Sequence, residues 1–135
     1  MIKTVRVTPT FAYDTIGKHD ITDILNNTLK KFKNENNINV IEEAQEKLEG
    51  YIYVPNSLKL WEGRYVRYLN LRDPLNLVLG AGGFVVEDNT FTVKLRNDLG
   101  VFRVNKRNAL WFMSLTNLDK TYMFLKSHLK NGSSV

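Results

Sequence analysis

A chain of 135 residues, 43% apolar and 24% charged, is sized for one domain with a substantial core. It contains no cysteine, which excludes disulfides, thiolate nucleophiles and cysteine-ligated zinc, and its two histidines, His19 and His128, are too few for a histidine-rich metal site. The net charge of +5 is unevenly placed: residues 1–58 hold seven bases against eight acids, residues 59–107 nine against five, and residues 108–135 three against one.

No apolar run approaches the roughly 20 residues a bilayer requires, so no membrane partner is expected. The opening Met1-Ile2-Lys3-Thr4-Val5-Arg6 lacks the apolar stretch of a signal peptide. The expected location is intracellular, in cytoplasm or nucleus, or within a virion, and not secreted.

In chain order, Met1–Thr8 alternates weakly and predicts a first strand closed by Pro9. Asp20 is placed to cap a helix whose apolar stripe is Ile21, Ile24, Leu25, Thr28, Leu29 and Phe32, with Lys30, Lys31 and Lys33 complementing the dipole at its end. Asn34-Glu35-Asn36-Asn37 is expected to terminate it. A shorter helix is predicted over Val40–Glu49, with Asn39 as its cap and Gly50 as its stop.

From Tyr51 the period changes from helix to strand. Strands are predicted at Tyr51–Val54, Leu60–Leu71, Leu75–Leu79, Phe84–Val86, Phe91–Leu95, Val101–Val104 and Ala109–Leu115, with turn residues between them. A last helix starts near Asn117, with Leu118, Tyr122, Leu125 and Leu129 on one face, and frays at Asn131-Gly132-Ser133-Ser134. The fold class expected is α+β. Residues 51–115 would form a meander that makes a bent antiparallel sheet of five to seven strands or a small SH3/OB-like β-barrel, with two helices before it and one C-terminal helix. The whole chain, 1–135, reads as a single domain: strand and helical cap (1–50), sheet (51–115), helix and tail (116–135).

The chemistry concentrates in the sheet region. Six of the seven arginines fall between Lys59 and Arg107. The densest segment, Trp61-Glu62-Gly63-Arg64-Tyr65-Val66-Arg67-Tyr68-Leu69, reads as a strand with a guanidinium on each face. A fully buried strand seldom carries two arginines, so one face must meet water, an acid or a partner. The candidate partner-binding set is Arg64, Tyr65, Arg67, Tyr68, Lys94, Arg96, Arg103, Lys106 and Arg107. Arginine and tyrosine are enriched in protein interfaces. The same pair suits nucleic acid, where guanidinium meets phosphate and rings stack on bases. A solvated face with cross-strand pairs to Glu62 and Glu87 is the third reading. Because alternation puts Arg64 and Arg67 on opposite faces, both cannot line one flat surface, and protein partners rank above nucleic acid.

Other motifs carry less. Gly80-Ala81-Gly82-Gly83 lacks the glycine spacing and the following helix of a phosphate loop, and reads as a bulge or tight corner in a bent sheet. Of Trp61, Phe84, Phe91, Phe102, Trp111 and Phe112, at least four are expected in the core. His19 and His128 have no nucleophile or orienting acid nearby in sequence, and the acids of residues 42–49 splay around a helix. No catalytic residue, cofactor, metal or small-molecule substrate is expected.

The order Gly63-x-Tyr65-Val66-Arg67-Tyr68, Leu79-x-x-Gly82-Gly83-Phe84-Val85 and Phe91-x-Val93-x-Leu95 resembles small uncharacterised β-domains in proteins of large double-stranded DNA viruses. The resemblance covers about residues 60–112. It implies a virion or virus-encoded accessory protein and carries over no catalytic residue. The expected function is thus a non-enzymatic interaction module, a minor structural component of a virion (a minor capsid protein) or other large assembly. The alternative is a sequence-tolerant nucleic-acid binder using the same face.

Overall fold

The computed structural model describes residues 20–116. The predicted first strand and the C-terminal helix lie outside the described residues. The elements below all belong to one compact unit, Ile16–Ser114.

Helix α1 (Ile21–Lys31) begins where Asp20 accepts a 2.8 Å hydrogen bond from the Thr22 amide, and Lys30 and Lys31 occupy its last turn. Helix α2 spans Glu35–Lys47, so it starts five residues earlier than predicted, and its cap is Asn34 and not Asn39. Asn34 accepts from the Asn37 amide at 2.8 Å. Asn37, read in the sequence as part of a helix stop, is instead fully buried. Its amide nitrogen donates to the carbonyls of Phe32 (2.6 Å) and Pro74 (2.8 Å), while its oxygen accepts from the Leu77 amide at 3.0 Å. A buried amide with every group satisfied ties the two helices to the loop at 73–77.

Among the described residues seven strands make one antiparallel sheet: β1 (Tyr51–Val54), β2 (Tyr65–Asn70), β3 (Val78–Leu79), β4 (Gly83–Asp88), β5 (Thr92–Asn97), β6 (Gly100–Asn105) and β7 (Ala109–Ser114). The order is β1-β7-β2-β4-β5-β6, with β3 also on β2. Only β4-β5-β6 is a meander. Strand β7 returns to lie between β1 and β2, because Ala109, Trp111, Phe112 and Met113 bury both of its faces and such a strand must be central. Among the described residues the sheet runs open from β1 to β6 and is not a closed barrel.

Two predicted strands are shorter than expected. Trp61–Arg64 forms a turn closed by the Arg64 amide on the Trp61 carbonyl (3.2 Å), so β2 starts at Tyr65. Asp73–Asn76 forms another, with the Asp73 carboxylate accepting from the Leu75 amide, which leaves only Val78–Leu79 as strand. Strands β3 and β4 lie on the same side of β2, one on each half of it, and Gly80-Ala81-Gly82 is the corner between them. A bulge between Val85 and Glu87 shifts the β4–β5 register.

Cross-strand register sorts the side chains. One face carries Tyr51 and Tyr53 (β1), Leu110 and Phe112 (β7), Tyr65, Arg67 and Leu69 (β2), Phe84 and Glu87 (β4), Thr92, Lys94 and Arg96 (β5), and Val101 and Arg103 (β6). The helices cover one end of this face: Leu25 of α1 and Ile41, Ala44 and Leu48 of α2 form a buried cluster with Leu69, Leu77 and Phe112. Full burial of each such side chain is worth roughly 1.5–3 kcal/mol. The opposite face holds Val54, Val66, Val85, Val93, Leu95, Trp111 and Met113, all buried.

Candidate docking surface

Beyond the helices, no element among the described residues covers the first face over β4, β5 and β6. Two rows cross it. Tyr65, Phe84, Arg96 and Val101 are successive cross-strand partners, and so are Glu87, Lys94 and Arg103. Phe84 is 48% exposed and Val101 56%. Tyr65 meets Phe84 edge-on at 5.1 Å between ring centres, which leaves the Phe84 ring available on the open side. Of the seven large apolar side chains exposed among the described residues, five lie on β4–β6 or their turns: Phe84, Val86, Phe91, Leu99 and Val101.

The same rows concentrate positive charge. Lys94 stands directly opposite Arg103, an arrangement of like charges that disfavours the pair. Glu87 lies 3.4 Å from Arg103, whose guanidinium also donates to Thr92 Oγ1 at 3.2 Å. Among the described residues neither Lys94 nor Arg96 forms an ion pair. Glu87 thus pairs with Arg103 and stands opposite Lys94, and Arg96 lies one row away.

Of the nine residues singled out in the sequence, five share this face: Tyr65, Arg67, Lys94, Arg96 and Arg103. Arg67 sits at its border with α2. Its Nε donates to the Gly80 carbonyl at 3.2 Å, and its charge helps lower the Glu43 carboxyl, after the larger effects of the Lys47 hydrogen bond (2.7 Å) and charge. Tyr65 donates from its hydroxyl to the Ala81 carbonyl at 2.9 Å, and Asn97 donates to the Gly82 carbonyl at 2.8 Å. The glycine corner is therefore held by three side chains acting on three successive carbonyls.

The other four residues are placed differently. Tyr68 points to the opposite face, where it packs on Trp111 at 5.3 Å, and burial pushes its phenol pKa up. Arg64 lies over the Trp61 ring at 4.8 Å and donates to the Ser114 carbonyl at 3.2 Å. Arg107 is exposed in the short helical turn Lys106–Asn108. Lys106 is not a surface residue: it is buried in an ion pair with Asp88 at 2.6 Å and also donates to the Leu58 carbonyl at 2.8 Å. Asp88 further accepts from the amides of Leu60 and Thr90, both at 2.9 Å.

Two apolar members of the surface were missed. At least four of the six large aromatics were expected in the core, yet only Trp111 and Phe112 are fully buried, and Phe84 and Phe91 are 48% and 70% exposed. Phe84 shares the face of Tyr65 and Arg96, and Phe91 sits at the β4–β5 turn. The signal for Val101 was present: it lies two residues before Arg103, on the same side of the strand.

Among the described residues no cluster of three His, Cys, Asp or Glu side chains is placed to hold a metal ion, and no helix is long and apolar enough to cross a membrane. No family model matches the chain, and no curated protein and no solved structure matches it.

Proposed function

We propose that the chain is a non-enzymatic interaction module that docks a protein partner on the open face of β4, β5 and β6. The observation that carries this reading is the coincidence of the exposed apolar side chains with the under-neutralised cations: Phe84 and Val101 stand in line with Arg96, one row from Lys94 and Arg103. A protein interface combines an apolar centre with charged groups that set orientation. The polar side chains buried in this unit, Asn37, Asp88 and Lys106, are all engaged in holding loops, which supports a binding role over a catalytic one. Membership of a virion or another large assembly is supported by the sequence resemblance over residues 60–112.

Sequence-tolerant nucleic-acid binding is the second reading, favoured by three cations beside a half-exposed phenylalanine. Protein ranks first because Val86, Leu99 and Val101 offer no ring to stack on a base, and Glu87 sits inside the basic row. Double charge reversal, Arg96→Glu with Arg103→Glu, separates the two. In affinity capture from the native source, the wild-type chain should retain a protein partner after nuclease treatment, and the double variant should lose it by about tenfold or more. Loss of wild-type capture on nuclease treatment would instead favour nucleic acid.

A further inference from the structure

We infer that the partner binds as an extended segment that adds a strand to β6, with apolar residues and acids at set positions; this rests on the docking surface proposed above. Among the described residues β6 pairs with β5 alone, and no strand among them lies on the other side of its backbone. Exposed edges in folded proteins are commonly blunted by proline, lysine or a bulge. Strand β6 has no proline, lysine or bulge: its sequence is Gly-Val-Phe-Arg-Val-Asn, Arg103 is its single charge, and its pairing with β5 is regular over all six residues.

The register of the sheet dictates the chemistry of an added strand. A residue placed beside Val101 extends the row Phe84–Arg96–Val101 and meets apolar surface. The residue two positions along stands beside Arg103, in the row where Lys94 and Arg103 share one acid. An acid there relieves the opposed like charges and forms a favourable cross-strand pair. On the other side of the added strand the neighbours are Phe102 and Val104, both half-buried, which call for apolar residues. The ligand class is therefore an extended peptide, apolar on one side and carrying an apolar residue followed by acids on the other. Main-chain bonds would supply affinity, and the cation rows would fix the direction and offset.

The test uses the full chain, isotope-labelled, with the synthetic peptide acetyl-Gly-Ile-Val-Asp-Val-Glu-Val-Gly-amide, a control in which Asn and Gln replace the two acids, and a single-stranded thymidine oligonucleotide. Binding of the acidic peptide should slow hydrogen exchange at alternate amides between Val101 and Asn105, since only every second residue of an edge strand faces the newcomer. The neutral control and the Arg103→Glu chain should each bind about tenfold more weakly. Absence of binding by the acidic peptide overturns the strand-addition inference, as does binding with no protection in β6. Shifts confined to Phe84 and Arg96 in that second case would leave face docking standing. An oligonucleotide that binds tighter than the peptide and displaces it overturns both.

Discussion

Replacing Lys106 by methionine is expected to destabilise the fold by about 3–5 kcal/mol at neutral pH, because it leaves a buried carboxylate without its cation. The two side chains are 3% and 1% exposed and 2.6 Å apart. Methionine keeps most of the lysine stem, so the loss is one of charge more than of volume. Burial by itself raises the Asp88 carboxyl, but the hydrogen bond from Lys106 and the amides of Leu60 and Thr90 outweigh it and hold the pKa below the ordinary value. A carboxyl depressed in this way contributes stability that is fully present above its unfolded value, about 3.9, and is lost as pH falls through the folded value. The gap between wild type and Lys106→Met in urea unfolding should therefore be full at pH 7 and narrow as pH drops toward and below about 4. Removing both charges, Lys106→Met with Asp88→Asn, should recover much of the loss. A single variant that loses less than about 1 kcal/mol at pH 7 would contradict the role given to this pair.

Gly82→Ala carries the second large effect, about 3–5 kcal/mol from combined strain and clash. Gly82 has φ +83°, and a Cβ there would lie 2.1 Å from the carbonyl oxygen of Val66, which is paired with β4 on one side and β7 on the other, so the backbone cannot yield cheaply. Gly50 provides the control: it has the same φ of +83° but nothing within 4 Å of an added Cβ. Gly50→Ala should cost only the left-handed penalty, about 1–2 kcal/mol. Comparable midpoints for the two variants in urea unfolding would show that the corner relaxes and that the close approach to β2 is not what requires glycine.

The sequence announces local features of this fold and hides those decided across the chain. Helix α1 was legible because Asp20 and the Ile21–Phe32 stripe are contiguous signals. The start of α2 was not, because Asn34–Asn37 has the composition of a stop, and what makes it a helix start is Asn37 bonding to Leu77, forty residues away. The hairpins of β4–β6 could be read from alternation and turn residues. The insertion of β7 between β1 and β2 could not, since both orders satisfy the same alternation and only burial on both faces of β7 selects one.

The same division runs through the candidate surface. Lys94 and Arg96 share a side because period-two alternation fixes which residues share a side of a strand, and the β5–β6 register sets Arg103 beside them. Lys106 was misread because a lysine in a turn looks solvated until Asp88, eighteen residues earlier, is brought against it. Tyr68 was misread for a related reason: it packs on Trp111, on the opposite face of the sheet. The Arg/Tyr strand that dominates the sequence thus serves mainly to build the sheet and its glycine corner. The open surface lies on the strands that follow it.

The most direct measurement places a photo-reactive phenylalanine analogue at Phe84, in the centre of the open face, and in a parallel chain at Leu75, which is 69% exposed in the loop before β3. Irradiation in the native source should give a covalent adduct to a polypeptide from position 84, resistant to nuclease, and none of comparable yield from position 75. Equal adducts from both positions, or an adduct from position 84 that is nucleic acid, would contradict a protein-docking face on β4–β6.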